Sequence, residues 1–141
     1  MKHLSQAKPR LCQIPISQHI LLEGQLTLPE AAPGLVLFVH GSGSSRHSPR
    51  NQLVARVLQE AGLATLLMDL LTPQEEEEDR VTAHLRFNIP LLTGRVMGAT
   101  NWLRSLPETA RLKMGYFGAS TGAAAALQAA AELPQEVAAI V

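Results

Sequence analysis

The chain has 141 residues, enough for one domain around one core, with 46% hydrophobic residues and equal numbers of basic and acidic side chains. A formal net charge of zero argues against nucleic acid or an anionic membrane surface as the main partner, since both call for a basic face. A single cysteine, Cys12, excludes an internal disulfide and a cysteine metal cluster. The N-terminal stretch "MKHLSQAKPRLCQIP" lacks the apolar core of a secretory signal, and no apolar run reaches the roughly 18 residues of a membrane span, so a cytoplasmic setting is expected.

In chain order, "RLCQIPIS" and "HILLEGQLTLP" read as two extended stretches forming an N-terminal hairpin. "AAPG" is a turn. "LVLFVH", Leu35 to His40, is a short, wholly apolar, β-rich run of the kind buried on both faces of a sheet. Ser48 followed by Pro49 reads as a helix cap with proline at the first helical position. Leu53, Val54, Val57, Leu58 and Ala61 then make a helical stripe that Gly62 stops.

"LATLLMDL" is the next buried strand, and "TPQEEEEDR" reads as a polar loop. Four consecutive glutamates point in different directions, whereas a hard cation needs converging oxygens, so the run Glu75 to Asp79 reads as a solvated rim over a cleft, with no metal expected. A long helix carries Leu92, Val96, Ala99 and Leu103 on one face, with Trp102 as packing, and ends at Pro107. "RLKMGYF" is a third central strand, Thr121 to Leu133 an alanine-rich helix, and "EVAAIV" one more strand. Alternating strands and helices predict an α/β fold, with a mostly parallel sheet and flanking helices.

Ligand sites in such sheets lie at the carboxyl ends of the strands, and two loops there are rich in glycine and serine. Gly118-Ala119-Ser120-Thr121-Gly122 matches G-x-S-x-G between a strand and a helix. A serine on so sharp a corner has strained backbone angles, and Gly118 and Gly122 must be small for the turns to approach. Its hydroxyl then stands at a helix N-terminus, where free N–H groups favour the oxyanion of acyl transfer. In the plainer alternative, Ser120 or Thr121 only caps the helix.

The second loop, "HGSGSS", supplies a partner for such a serine. One oxyanion-hole N–H comes from the residue after the nucleophile, Thr121, and the other from this loop, with Ser42 the best candidate. Gly41 and Gly43 let the backbone turn that N–H inward. His40 reads chiefly as a hydrogen-bond anchor for the loop and secondarily as a base. Arg46 and His47 read as substrate-facing or solvated. A rival reading takes "HGSGSSR" and Asp69 as a nucleotide-binding turn with its ribose acid, but Arg46 stands where the third glycine should be and "GASTG" goes unexplained.

With both loops, the "NWLRSLP" helix end and "MGYFGASTGAAAAL", the sequence resembles the α/β-hydrolases, in particular the dienelactone hydrolase-like branch, from about residue 14 onward. The resemblance implies a serine nucleophile at Ser120, where dienelactone hydrolase itself uses cysteine, and hence hydrolysis of esters or related small acyl substrates without a cofactor. It also implies a triad acid and histidine further along the chain. All five histidines, His3, His19, His40, His47 and His84, precede Ser120. Residues 1–141 are therefore expected to form the N-terminal portion of one α/β-hydrolase domain, truncated after the sixth strand, with "EVAAIV" an exposed edge open to self-association. A non-catalytic binding protein of the same fold is the alternative.

Overall fold

The computed structural model describes residues 7–141. The paired extended stretches are β1 (Arg10–Pro15) and β2 (Leu21–Thr27). They are followed by β3 (Gly34–Val39), α1 (Pro49–Glu60), β4 (Ala64–Met68), α2 (Pro73–Thr82) and α3 (Ile89–Ser105). β5 (Lys113–Gly118), α4 (Thr121–Glu132) and β6 (Val137–Ile140) complete the order. One sheet of six strands runs β1-β2-β4-β3-β5-β6, antiparallel through β1, β2 and β4 and parallel from β4 to β6. This is the mixed α/β architecture expected, with the N-terminal hairpin as its antiparallel part.

The two faces of the sheet are unequally covered. Alternation puts Leu35, Leu37 and Val39 on one face, where they join Leu66, Met114 and Tyr116 under α3 and α4. The predicted stripe on α3 is fully used: Leu92, Val96, Ala99 and Leu103 are all buried. Within this core the Thr100 hydroxyl donates to the Val96 carbonyl, so the Tyr116 hydroxyl donates to Thr100 Oγ1, 2.5 Å away. A buried phenol thus has the partner its burial requires.

Among the described residues the opposite face carries a small cluster, Phe38, Ala55 and Leu67, covered by α1. Ser48 caps α1 as expected, its Oγ accepting the Asn51 N–H at 3.3 Å with Pro49 next. The predicted stripe is displaced, however: Asn51 and Ala55 face the sheet, Val54 and Leu58 flank them, and Leu53 and Val57 are exposed.

The segment 73–82 is a helix where the sequence reads as a loop. Thr72 and Glu75 form a reciprocal capping box, with Pro73 at the first position. Its acids are largely matched to arginines rather than solvated: Glu75 with Arg95, Glu77 with Arg80, and Asp79 with Arg86. The acidic rim of the sequence reading is thereby mostly neutralised. No helix of the described residues is long and apolar enough to cross a membrane.

Candidate active site

β3 and β5 are parallel neighbours, with Val39 opposite Gly118. Their carboxyl ends therefore deliver the 40–45 loop and the 118–122 corner to one place. The sequence of the corner explains its shape. A Cβ on Gly122 would lie 2.2 Å from the Val39 carbonyl oxygen and 2.4 Å from that of His40. A Cβ on Gly118 would lie 2.7 Å from Ala123 Cα. Only hydrogen fits at either position, so the start of α4 can be driven against the end of β3. The Ala119 N–H donates to the Val39 carbonyl at 3.2 Å and closes the contact.

Ser120 takes the strain of this corner. Its φ is 56° and ψ −124°, a region serine rarely occupies, and its side chain is exposed. It makes no capping hydrogen bond to α4, and the Thr121 hydroxyl is bonded to Ser42 instead, so neither residue is the simple cap of the alternative reading. Such strain costs about 1–3 kcal/mol, part of which glycine would recover after its own entropic penalty. Ser120→Gly is accordingly expected to stabilise the chain by about 1 kcal/mol, read as a rise in melting temperature.

The facing loop is equally specified. Gly41 backs onto the corner, where a Cβ would meet the Ala119 oxygen at 3.1 Å, and Gly43 has a left-handed φ of 72°. His40 is buried and uses both ring nitrogens. Nδ1–H donates to the Gly41 carbonyl at 2.8 Å, while Nε2 accepts the Leu70 N–H at 3.0 Å, which settles the tautomer. Burial holds the imidazole below its ordinary pKa, against the Gly41 bond and nearby Asp69, which favour protonation. A ring so committed is an anchor and not a base.

The Ser44 N–H also donates to the Gly41 carbonyl, at 3.1 Å. In a trans peptide the carbonyl and the following N–H point to opposite sides, so these two bonds turn the Ser42 N–H away from His40. Among the described residues neither the Ser42 nor the Thr121 N–H has a hydrogen-bond acceptor.

Arg46 is neither substrate-facing nor solvated. Its N–H and guanidinium engage the Asp69 carboxylate, and Nη1 also meets Glu23 Oε2 at 3.1 Å. That commits Asp69, the acid the nucleotide reading needs for a ribose, to the very residue that stands in place of its third glycine. His19, His47 and His84 are exposed, and among the described residues no imidazole or carboxylate bonds the Ser120 hydroxyl. His3 lies outside the described residues. Nor, among those residues, does any group of three histidine, cysteine or acidic side chains converge as metal ligands would.

A cavity of about 250 Å³ adjoins the loop, lined by His40, Ser42, Leu71, Glu76, Leu92 and Thr121 among others. Ser120 does not line it, but the neighbouring Thr121 does. Glu76 and Asp79 also line it, within the run read as a rim over the cleft, whereas the helical form of that run and the part of Arg80 and Arg86 were not legible because the segment carries no apolar period.

No family model matches the chain. Over 118 residues it is 58% identical to proteins of Mycobacterium tuberculosis, strains CDC 1551 and H37Rv, each named "Putative phosphoribosyl transferase"; the match takes in 84% of this chain and 26% of theirs. Among solved structures, a dienelactone hydrolase from Anabaena variabilis ATCC 29413 is 57% identical and superposes with a TM-score of 0.94, over 96% of this chain and 62% of that one. At that likeness the chain has the α/β-hydrolase fold of the Anabaena dienelactone hydrolase. Est1E from Butyrivibrio proteoclasticus, 19% identical with a TM-score of 0.75 over 92% of this chain and 49% of its own, shares the fold. The chain thus spans about a quarter of the curated relatives it matches and under two thirds of the Anabaena structure.

Proposed function

We propose that this chain carries the nucleophile and oxyanion half of a serine hydrolase acting on carboxylic esters or related small acyl substrates. The observation that carries the reading is the exposed, strained Ser120, which makes no capping bond, beside two amide N–H groups that have no acceptor among the described residues. Ser120 Oγ attacks the acyl carbon, and the carbonyl oxygen, taking up the displaced electron pair, accepts from the Ser42 and Thr121 N–H groups. Two preorganised donors of this kind contribute on the order of 10²–10³ in rate each.

The serine proton needs a base, because an unassisted hydroxyl is a weak nucleophile at neutral pH. His40 is spent on its loop, so the base and its orienting acid are assigned to chain beyond these 141 residues, for which the greater length of the relatives leaves room. Residues 1–141 are then the N-terminal portion of one hydrolase domain. Among the described residues β6 pairs only with β5, and self-association along it is proposed for the 141-residue chain taken by itself.

The name of the Mycobacterium tuberculosis relatives belongs to proteins roughly four times longer than the matched stretch, and no feature of this site favours phosphoribosyl transfer over acyl transfer.

A fluorophosphonate probe tests the proposal, with imidazole added as external base. Ser120 Oγ displaces fluoride from phosphorus and its proton passes to imidazole. Mass spectrometry is expected to find the adduct on the peptide containing Ser120 and none in Ser120→Ala. Absence of label at Ser120, or equal labelling of the alanine variant, leaves a non-catalytic binding protein of this fold as the better reading.

A further inference from the structure

The two amides of the proposed oxyanion hole come from loops 79 residues apart, and a side-chain bond joins those loops. We propose that the Thr121–Ser42 hydroxyl pair positions these two amides, and that Asp79 holds the far end of the pair through the Arg86 peptide. The proposal rests on the oxyanion-hole reading above and adds residues whose side chains that reading leaves without a task.

Bond direction follows from counting protons. The Ser42 hydroxyl has one, and it donates to the Arg86 carbonyl at 3.2 Å, the one partner there that can only accept. Ser42 Oγ therefore accepts from the Thr121 hydroxyl, 2.7 Å away. The chain of bonds runs Thr121 to Ser42 to Arg86, from the catalytic corner, across the oxyanion loop, to the segment after α2.

That last segment is firmly held. Asp79 Oδ1 accepts the Leu85 N–H at 2.7 Å and the Arg86 N–H at 3.1 Å. Asp79 Oδ2 accepts Arg86 Nε–H at 2.9 Å, and Arg86 Nη2 donates to the Asp79 carbonyl at 2.8 Å. Asp79 is buried, which pushes its carboxyl up, but the Leu85 and Arg86 bonds outweigh this and hold it ionised below its ordinary value. A buried carboxylate with every oxygen bonded is a rigid post for the Arg86 carbonyl.

The division of labour is then clear. His40 and Ser44 orient the Gly41–Ser42 peptide through its carbonyl. The hydroxyl pair sets how far that peptide stands from the Thr121 amide. Thr121 and Ser42 are positioning residues through their side chains, distinct from their backbone role.

Thr121→Val removes the hydroxyl at nearly constant shape, and Thr121→Ser is the conservative variant that restores it. Two quantities are read: the rate of fluorophosphonate labelling at Ser120 with added imidazole, and the amide resonance of Ser42, which lies on the other loop. Thr121→Val is expected to label roughly 10- to 100-fold more slowly and to shift the Ser42 amide, with Thr121→Ser returning both towards wild type. Equal labelling by Thr121→Val and wild type overturns the proposal whatever the resonance does. Where wild type takes no label, the hydrolase reading has failed, and the Ser42 amide alone decides: unmoved in Thr121→Val, it overturns the proposal; moved, it supports the positioning. Should Thr121→Val not fold, Ser42→Ala breaks the pair from the other side, read by the same rate and, in place of its own resonance, by the Thr121 amide.

Discussion

Replacing Gly122 with alanine is expected to destabilise the chain by about 3 kcal/mol or more, roughly a 10 °C fall in melting temperature. The added methyl would meet two carbonyl oxygens and the Val39 carbonyl carbon, all within 2.8 Å and all backbone. Flexible side chains can yield to such a contact, but the end of β3 cannot, because β3 is hydrogen-bonded to β4 on one side and β5 on the other. Helix α4 would have to retreat, which breaks the bond from Ala119 to Val39 and moves Ser120 away from the 41–43 turn. Gly43→Ala is the control: nothing lies within 4 Å of its Cβ, and only the left-handed φ of 72° costs anything, about 1 kcal/mol. Thermal or urea unfolding of the two variants checks the order. Equal losses would mean that the corner is not packed as closely as the contact with Val39 requires.

That close contact was legible because its cause is local. Gly118, Ser120 and Gly122 sit within five residues, and the sterics of one sharp corner dictate all three. The strands were legible for a similar reason, since β3 is apolar throughout and β4 is apolar but for Thr65. Helix α1 shows where the pattern misleads. Leu53 and Val57 share the apolar period with Val54 and Leu58, but the fully buried positions are Asn51 and the small Ala55, with Val54 and Leu58 packed beside them and Leu53 and Val57 left outside.

Helix α2 has no apolar period to read, being built from acids. Its one local signal was the Thr72-x-x-Glu75 capping box behind Pro73, and the run of glutamates obscured it. What ties it to the rest of the fold is not local. The partner of Glu75 lies 20 residues on, on α3, and the partner of Asp69 lies 23 residues back, just after the 40–45 loop. Charge pairs at such separations carry no periodicity, so the second layer of the site emerges only from the fold.

Arg95→Met should show how much that second layer matters. Arg95 is 8% exposed and grips Glu75 with two bonds, at 2.6 and 2.7 Å, while Nη1 also donates to the Leu70 carbonyl at 3.1 Å. Removing one partner of a buried pair strands the other charge, and a loss of about 3–5 kcal/mol is expected in equilibrium unfolding. The bond to Arg95, foremost, holds the Glu75 carboxyl below its ordinary 4.5, against the opposing effect of burial. The unfolded chain therefore binds the proton more readily. The stabilisation is fully present above about pH 4.5 and is lost as pH falls through the lower folded value. Arg95→Met should flatten that acid limb, whereas a surface variant of equal cost would leave it. The effect should also reach the site, since Leu70 joins Arg95 to His40: its carbonyl takes the arginine and its N–H the imidazole, whose other nitrogen orients the Gly41 peptide. A Glu75→Leu, Arg95→Met double variant leaves no stranded charge and should regain much of the stability, but not the hold on Leu70. Recovered melting without a recovered Ser42 amide position would separate the pair's part in stability from its part in shaping the 40–45 loop.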